Sequence, residues 1–162
     1  VLFRSTDLIA PPCWASAMVS HGLNPKAKVD RWQVCRFVAP SNVLIDVGVA
    51  LAGRGGLEAD AATRVSGIVV DYITPETETS CWYFWGMARH FRVDDADLTE
   101  SIRKGQEHIF SEDLEILERQ QQNLTENPER KLLKLNIDAG GVHARRIIDQ
   151  WCEAERKLEH DQ

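Results

Sequence analysis

No two of the four cysteines in this 162-residue chain (Cys13, Cys35, Cys81, Cys152) stand close enough to form a CxxC pair. That removes the spacing of zinc and iron–sulfur sites and leaves reduced thiols and a cytoplasmic location as the expectation. HExxH is missing, as are GxGxxG, a phosphate loop followed by Lys-Ser/Thr, and the GxSxG elbow. Metalloprotease, dinucleotide, nucleoside-triphosphate and serine-hydrolase chemistry therefore have no local signature. No apolar run approaches the roughly 18 residues of a membrane span. Positive charge is in deficit: 19 Lys and Arg against 25 Asp and Glu give a net charge of −6. That argues against nucleic acid or an anionic membrane surface as the main partner. Repeats and low-complexity tracts are lacking too.

What remains is an ordinary globular composition, 43% hydrophobic and 27% charged, in a chain long enough for one domain with a core. The chain opens without Met, and Val1 to Ser5 read as a sequencing or cloning scar, set aside from fold reasoning. Residues 6–162 read as the C-terminal part of a longer protein. Residues 6–28 hold Pro11, Pro12, Gly22 and Pro25 among small residues, which predicts a loop, with His21 at its surface.

Strands follow. Residues 30–38 (DRWQVCRFV) alternate, with Trp32, Val34 and Arg36 on one side. In residues 43–51, Val43, Ile45, Val47, Val49 and Leu51 form an aliphatic face. Leu44, Asp46, Gly48 and Ala50 form a small one. Small side chains leave room above a sheet, so Asp46 either looks into a cavity or lies on a solvated face. The glycine-rich connection over 53–63 leads to a third strand over 64–74, and a fourth over 79–91 is rich in aromatic residues expected in the core. A last helix, capped by Asp138, is predicted to bury Val142, Ala144, Ile147, Ile148, Trp151, Ala154 and Leu158 and to leave His143 and His160 in solvent. Strands followed by helices give an α+β plan, a curved antiparallel sheet around one long helix.

That long helix is predicted over residues 97–123, entered through Asp95 or Asp97 as N-cap. At about 100° per residue its apolar side chains fall on one arc, and two polar residues, Gln106 and Asp113, lie within it. A buried carboxylate costs several kcal/mol unless paired, hydrogen-bonded or bound to metal. The residues alone leave two partners open for Asp113: an arginine of the sheet, such as Arg36 or Arg64, or a metal ion.

The segment GIVVDYITPETETSCWYFWGMARHFRVDDADL is followed by GQEHIFSEDLEILERQQQNL and then by KLLKLNIDAGGVHARRIIDQW. Together they resemble the C-terminal catalytic domain of the Rieske non-haem iron oxygenases, in the branch of the vanillate and dicamba O-demethylases. The likeness runs with small gaps from about Asp30 to Leu158, and ITPETETSCWYFWG and FSEDLEILE are its most specific pieces. It implies a helix-grip fold and a mononuclear Fe(II) held by two histidines and one carboxylate. The carboxylate lies in the stretch matching FSEDLEILE, at Asp113; the adjacent Glu112 falls on the polar side of the helix. None of His21, His90, His108, His143 and His160 matches the iron histidines, and the CxH and CxxH ligands of the Rieske [2Fe–2S] cluster are absent. Both sets belong upstream.

The resemblance further implies a monooxygenase that takes O2, with NAD(P)H as electron source through a reductase bearing a flavin and a ferredoxin-type cluster. The substrate would be a methoxylated aromatic acid such as vanillate, hydroxylated at the methoxy carbon to a hemiacetal that loses formaldehyde. Relatives assemble as trimers, one subunit's cluster facing the next subunit's iron. Asp46 and Asp71 fall near substrate-touching positions of the dicamba branch, and Gln106 shares the Asp113 face; all three are candidate substrate residues. The chain by itself is expected to be inactive. Two other readings stay open: a non-catalytic helix-grip ligand-binding protein, and a same-family oxygenase acting on another aromatic substrate.

Overall fold

The computed structural model describes residues 2–131 and 133–160. The predicted alternation becomes a five-stranded sheet: β1 (Leu2–Ile9), β2 (Lys28–Val38), β3 (Asn42–Leu51), β4 (Arg64–Pro75) and β5 (Cys81–Arg89). The strands lie in sequence order and each pairs antiparallel with the next. Three helices accompany them, α1 (Pro12–Ser20), α2 (Ala96–Glu126) and α3 (Ala139–His160). This is the expected α+β architecture, an antiparallel sheet with a long helix laid over one face. No helix among the described residues is long and apolar enough to cross a membrane.

Register decides which face is inward. Val49 pairs with Arg31 and Val65, Val47 with Gln33 and Gly67, and Ile45 with Cys35 and Val69. Side chains of paired residues share a face. Val29, Val47, Val49, Val65 and Val69 therefore form one apolar floor, packed against Ala10, Trp14, Ala17 and Met18 around α1 and against Phe91.

The loop expected over residues 6–28 is thus corrected. Part of it completes β1, and α1 supplies much of the core. Pro12 is the first residue of α1, where a missing N–H costs nothing and a fixed φ favours the helix. The residues set aside at the start enter the sheet from Leu2 on, with Leu2 opposite Val34 and Ser5 opposite Arg31; Val1 lies outside the described residues.

The small face of β3 is filled rather than open. The Trp32 ring lies so close over Gly48 that a Cβ there would overlap it and the Val65 carbonyl oxygen. Trp32 is 1% exposed and packs with Ala50 and Ala59, while Val34 and Leu57 close the cluster.

α2 starts where predicted. The Asp95 carboxylate accepts the Leu98 N–H at 2.8 Å and pairs with Arg92. Arg89, at the end of β5, donates to the carbonyl oxygens of Phe91, Arg92 and Asp95 and to the Thr99 hydroxyl. This one guanidinium fixes the angle at which α2 leaves the sheet. Leu98 and Phe110 pack on the core, whereas every residue from Ser111 to Gln120 is exposed.

Two further burial expectations are corrected. Of the α3 side chains expected to be buried, Ile148, Trp151, Ala154 and Leu158 are exposed, and Val142, Ala144 and Ile147 are half-buried. In β5, Trp82 and Phe84 stack at 6.3 Å on the outer face and are more than half exposed. β5 is an edge strand, and no described element covers that face. His143 is exposed as expected; the side chain of His160 lies outside the described residues.

Candidate functional site

Between the inward face of the sheet and the first half of α2 lies a cavity of about 240 Å³. Ile45, Val47, Val69 and Met87 make its floor; Trp14 and Phe91 close one end, and Ile102, Ile109 and Phe110 of α2 form the roof. Three polar side chains enter it: Arg31, Gln33 and Gln106. An apolar cavity of roughly 150 Å³ takes a benzene molecule, so this one suits a single substituted ring. Gly67 is part of the reason there is room for Met87. A Cβ there would sit 2.8 Å from the Met87 methyl group.

Beyond Phe110 the inward face turns polar. The Phe110 ring contacts Tyr83 at 5.5 Å and Trp85 at 5.4 Å between centroids. Asp71, opposite Trp85 on β4, is 3% exposed. Burial holds its carboxyl above the usual carboxylate range, and a hydrogen bond from the Tyr83 hydroxyl partly offsets this. Its Oδ1 has no partner. The Tyr83 hydroxyl is held protonated well above its ordinary range, first by burial, then by the charge and hydrogen bond of Asp71, then by the charge of Asp113.

A raised pKa in the folded state has a direct consequence. The native protein keeps the Asp71 proton to higher pH than the unfolded chain, whose value lies near 3.8. The associated stability is complete below that value and is lost as pH rises through the folded one. Asp71→Asn is expected to remove this loss. Denaturant midpoints measured from pH 4 to 7 should converge or favour the variant at the upper end. A constant difference between the two curves would contradict the assignment.

The sequence candidates separate in space. Gln106 lines the cavity. Asp113 falls within about 20° of Ile102 around α2, so it shares the cavity-facing stripe, one turn past Phe110 at the rim. It is exposed, however, so the burial penalty that demanded a partner does not arise. Neither proposed arginine reaches it: Arg36 lies 3.6 Å from Asp46, and Arg64 donates to the Leu57 carbonyl oxygen. Asp71 is one strand from Tyr83, next to the rim. Asp46 is on the opposite face, where its Oδ1 accepts the Trp32 indole N–H at 2.9 Å, and it does not border the cavity. Glu112 points elsewhere, 3.6 Å from His108.

Sequence reasoning missed Arg31, Gln33, Tyr83 and Arg89. In β2, Arg31 and Gln33 alternate with Trp32 and Val34, and polar residues opposite a tryptophan read as the solvated side. The bulk of Trp32 over Gly48 sends that tryptophan outward and turns the polar side in.

Among the described residues no three His, Cys, Asp or Glu side chains converge as metal ligands. Asp113 fits one carboxylate position of an iron site, being accessible, free of an ion pair and aligned with the cavity. The described residues thus offer one donor and not a complete site. His21 and His90, with ring centroids 5.9 Å apart, lie at the α1 end of the sheet, and the His21 Nδ1 is engaged with the Ala17 carbonyl at 3.1 Å.

The chain is 62% identical over 152 residues to a vanillate O-demethylase oxygenase subunit of Pseudomonas sp. (strain ATCC 19151), covering 94% of this chain and 46% of that protein. It is 34% identical over 131 residues to a toluene-4-sulfonate monooxygenase system iron-sulfur subunit of Comamonas testosteroni, covering 80% and 38%. The crystal structure of apo dicamba monooxygenase superposes with a TM-score of 0.75 at 24% identity, over 96% of this chain and 47% of that one. At that identity the superposition speaks for the fold alone. The chain thus spans under half the length of the relatives it matches. The family model described as the vanillate O-demethylase oxygenase C-terminal domain matches residues 3–154, nearly the whole chain, and the chain belongs to that family.

Proposed function

We propose that this chain is the C-terminal, substrate-binding part of the oxygenase component of a Rieske-type non-haem iron monooxygenase. Its substrate would be a methoxylated aromatic acid such as vanillate. The observation that carries the reading is the high identity to a vanillate O-demethylase oxygenase subunit along almost all of this chain. The ring-sized apolar cavity beside Asp113 supports it. In the overall reaction the methoxy carbon is oxidised to formaldehyde and the phenol is released. One oxygen atom of O2 leaves in the aldehyde and the other as water, with two electrons drawn from NAD(P)H through a reductase bearing a flavin and a ferredoxin-type cluster.

A mononuclear Fe(II), when bound, supplies the activation of O2; Asp113 would be its carboxylate ligand. The histidine ligands and the Rieske [2Fe–2S] cluster would come from upstream sequence, and a homotrimer would bring cluster and iron of neighbouring subunits together. This chain's own side chains do the rest. Ile45, Val47, Val69 and Met87 bury the ring and exclude water. Gln106 offers an amide to a ring hydroxyl. Tyr83, hydrogen-bonded to Asp71, lies close enough to feel the charge of Asp113, and would take the place of an outer partner of that ligand.

The test is formaldehyde release by the whole oxygenase, supplied with its reductase, NADH and a panel of methoxylated benzoates. One equivalent of formaldehyde per phenol formed is expected. Absence of demethylation across the panel, with cluster and iron both loaded, would refute the reading.

A further inference from the structure

We propose that Arg31 is the residue that reads the acid group of the substrate, binding a carboxylate at the inner end of the cavity. The inference rests on the cavity being the aromatic-substrate pocket. Its starting point is an anomaly on the inward face of β2. Arg31 is half-buried and reaches a cavity whose other walls are mostly aliphatic and aromatic. Among the described residues its guanidinium has neither an ion pair nor a side-chain hydrogen bond. The other arginines near the core are engaged: Arg36 with Asp46, Arg64 with a backbone carbonyl, Arg89 with the start of α2. A cation drawn into an apolar cavity without a counter-charge is costly, and the cost is recovered when a planar carboxylate meets the guanidinium fork.

Position supports the same reading. Arg31 lies in the row of Val49 and Val65, at the α1 end of the inward face. Asp113 lies at the other end, past Phe110 and beside Tyr83. A ring held between them has its acid group directed to Arg31 and its far substituents directed to the rim at Asp113. Gln33, two residues along β2 on the same face, is placed to share the carboxylate. Among the described residues no carboxylate lines the cavity to compete with an anionic ligand.

The experiment uses the whole oxygenase and two readouts, turnover and equilibrium binding, with acids paired against their uncharged methyl esters. Wild type should bind 3,4-dimethoxybenzoate more tightly than its methyl ester. Arg31→Ala should weaken binding of the acid and raise its KM about 10- to 100-fold, the usual size of a charge-assisted hydrogen-bonded contact. The ester should change by less than about threefold, and Arg31→Lys should recover part of the loss. Circular dichroism and cluster absorbance verify that the variants are folded. If acid and ester weaken equally, or neither changes, Arg31 does not read the acid. If no panel member is demethylated but acid binding still depends on Arg31, the functional reading fails and the anion site stands. If demethylation proceeds and Arg31→Ala leaves acid binding intact, the reverse holds.

Discussion

Asp113→Ala in the whole oxygenase is expected to abolish demethylation and strip the mononuclear iron while leaving the Rieske absorbance in place. Three ligands hold such an ion, and outer partners of metal ligands already cost roughly 10- to 100-fold in affinity when removed. Loss of one of the three should exceed that and leave iron well below one per subunit. The exposure of Asp113 makes this a clean experiment. The residue contributes no buried contact, so unfolding free energy should move by no more than about 0.5 kcal/mol. Glu112→Ala is the control. Its carboxylate lies on the polar side of α2 beside His108, and iron should stay. Full iron retention in Asp113→Ala, or loss in Glu112→Ala, would overturn the assignment.

The largest effect on stability should come from Trp32→Ala. The side chain is 1% exposed, fills the space over Gly48 and donates to Asp46. Removing a buried tryptophan typically costs about 3–5 kcal/mol. For a chain of this size that corresponds to roughly 6–20 °C in Tm. Trp32→Phe keeps most of the packing and loses the indole N–H, so it should cost less. The measurement is chemical denaturation followed by circular dichroism. A change below about 1 kcal/mol for the alanine variant would mean that the cluster of Trp32, Ala50 and Ala59 does not stabilise the sheet.

Trp32 also explains why Asp46, one of the candidate substrate residues, faces away from the cavity. The sequence shows that one face of β3 is bulky and the other small, because side chains alternate along a strand. It does not show which face meets the ligand. A row of small residues is equally consistent with a cavity and with a large neighbour from the next strand. The β2–β3 register puts Trp32 opposite Gly48, and the large neighbour takes the space. Asp46 then becomes the acceptor for the tryptophan, and the cavity forms over Ile45 and Val47. Gln106 kept the face expected of it and lines the cavity, since a helix surface follows from its own 3.6-residue period; Asp113, expected within the same apolar arc, is exposed.

By itself the sequence determined four of the five strands, the start of α2 to within the choice of Asp95 or Asp97 as cap, the inward face of Gln106, and, through its long matching segments, the family. These are properties of local alternation, capping and extended likeness, which need no knowledge of neighbours. Tertiary structure alone decided burial. It made α1 part of the core although Pro11 and Pro12 looked like loop, turned Arg31 and Gln33 inward, and left Asp113 exposed at the cavity rim. Whether a side chain is buried depends on what lies across from it, and for this chain that partner is distant in sequence.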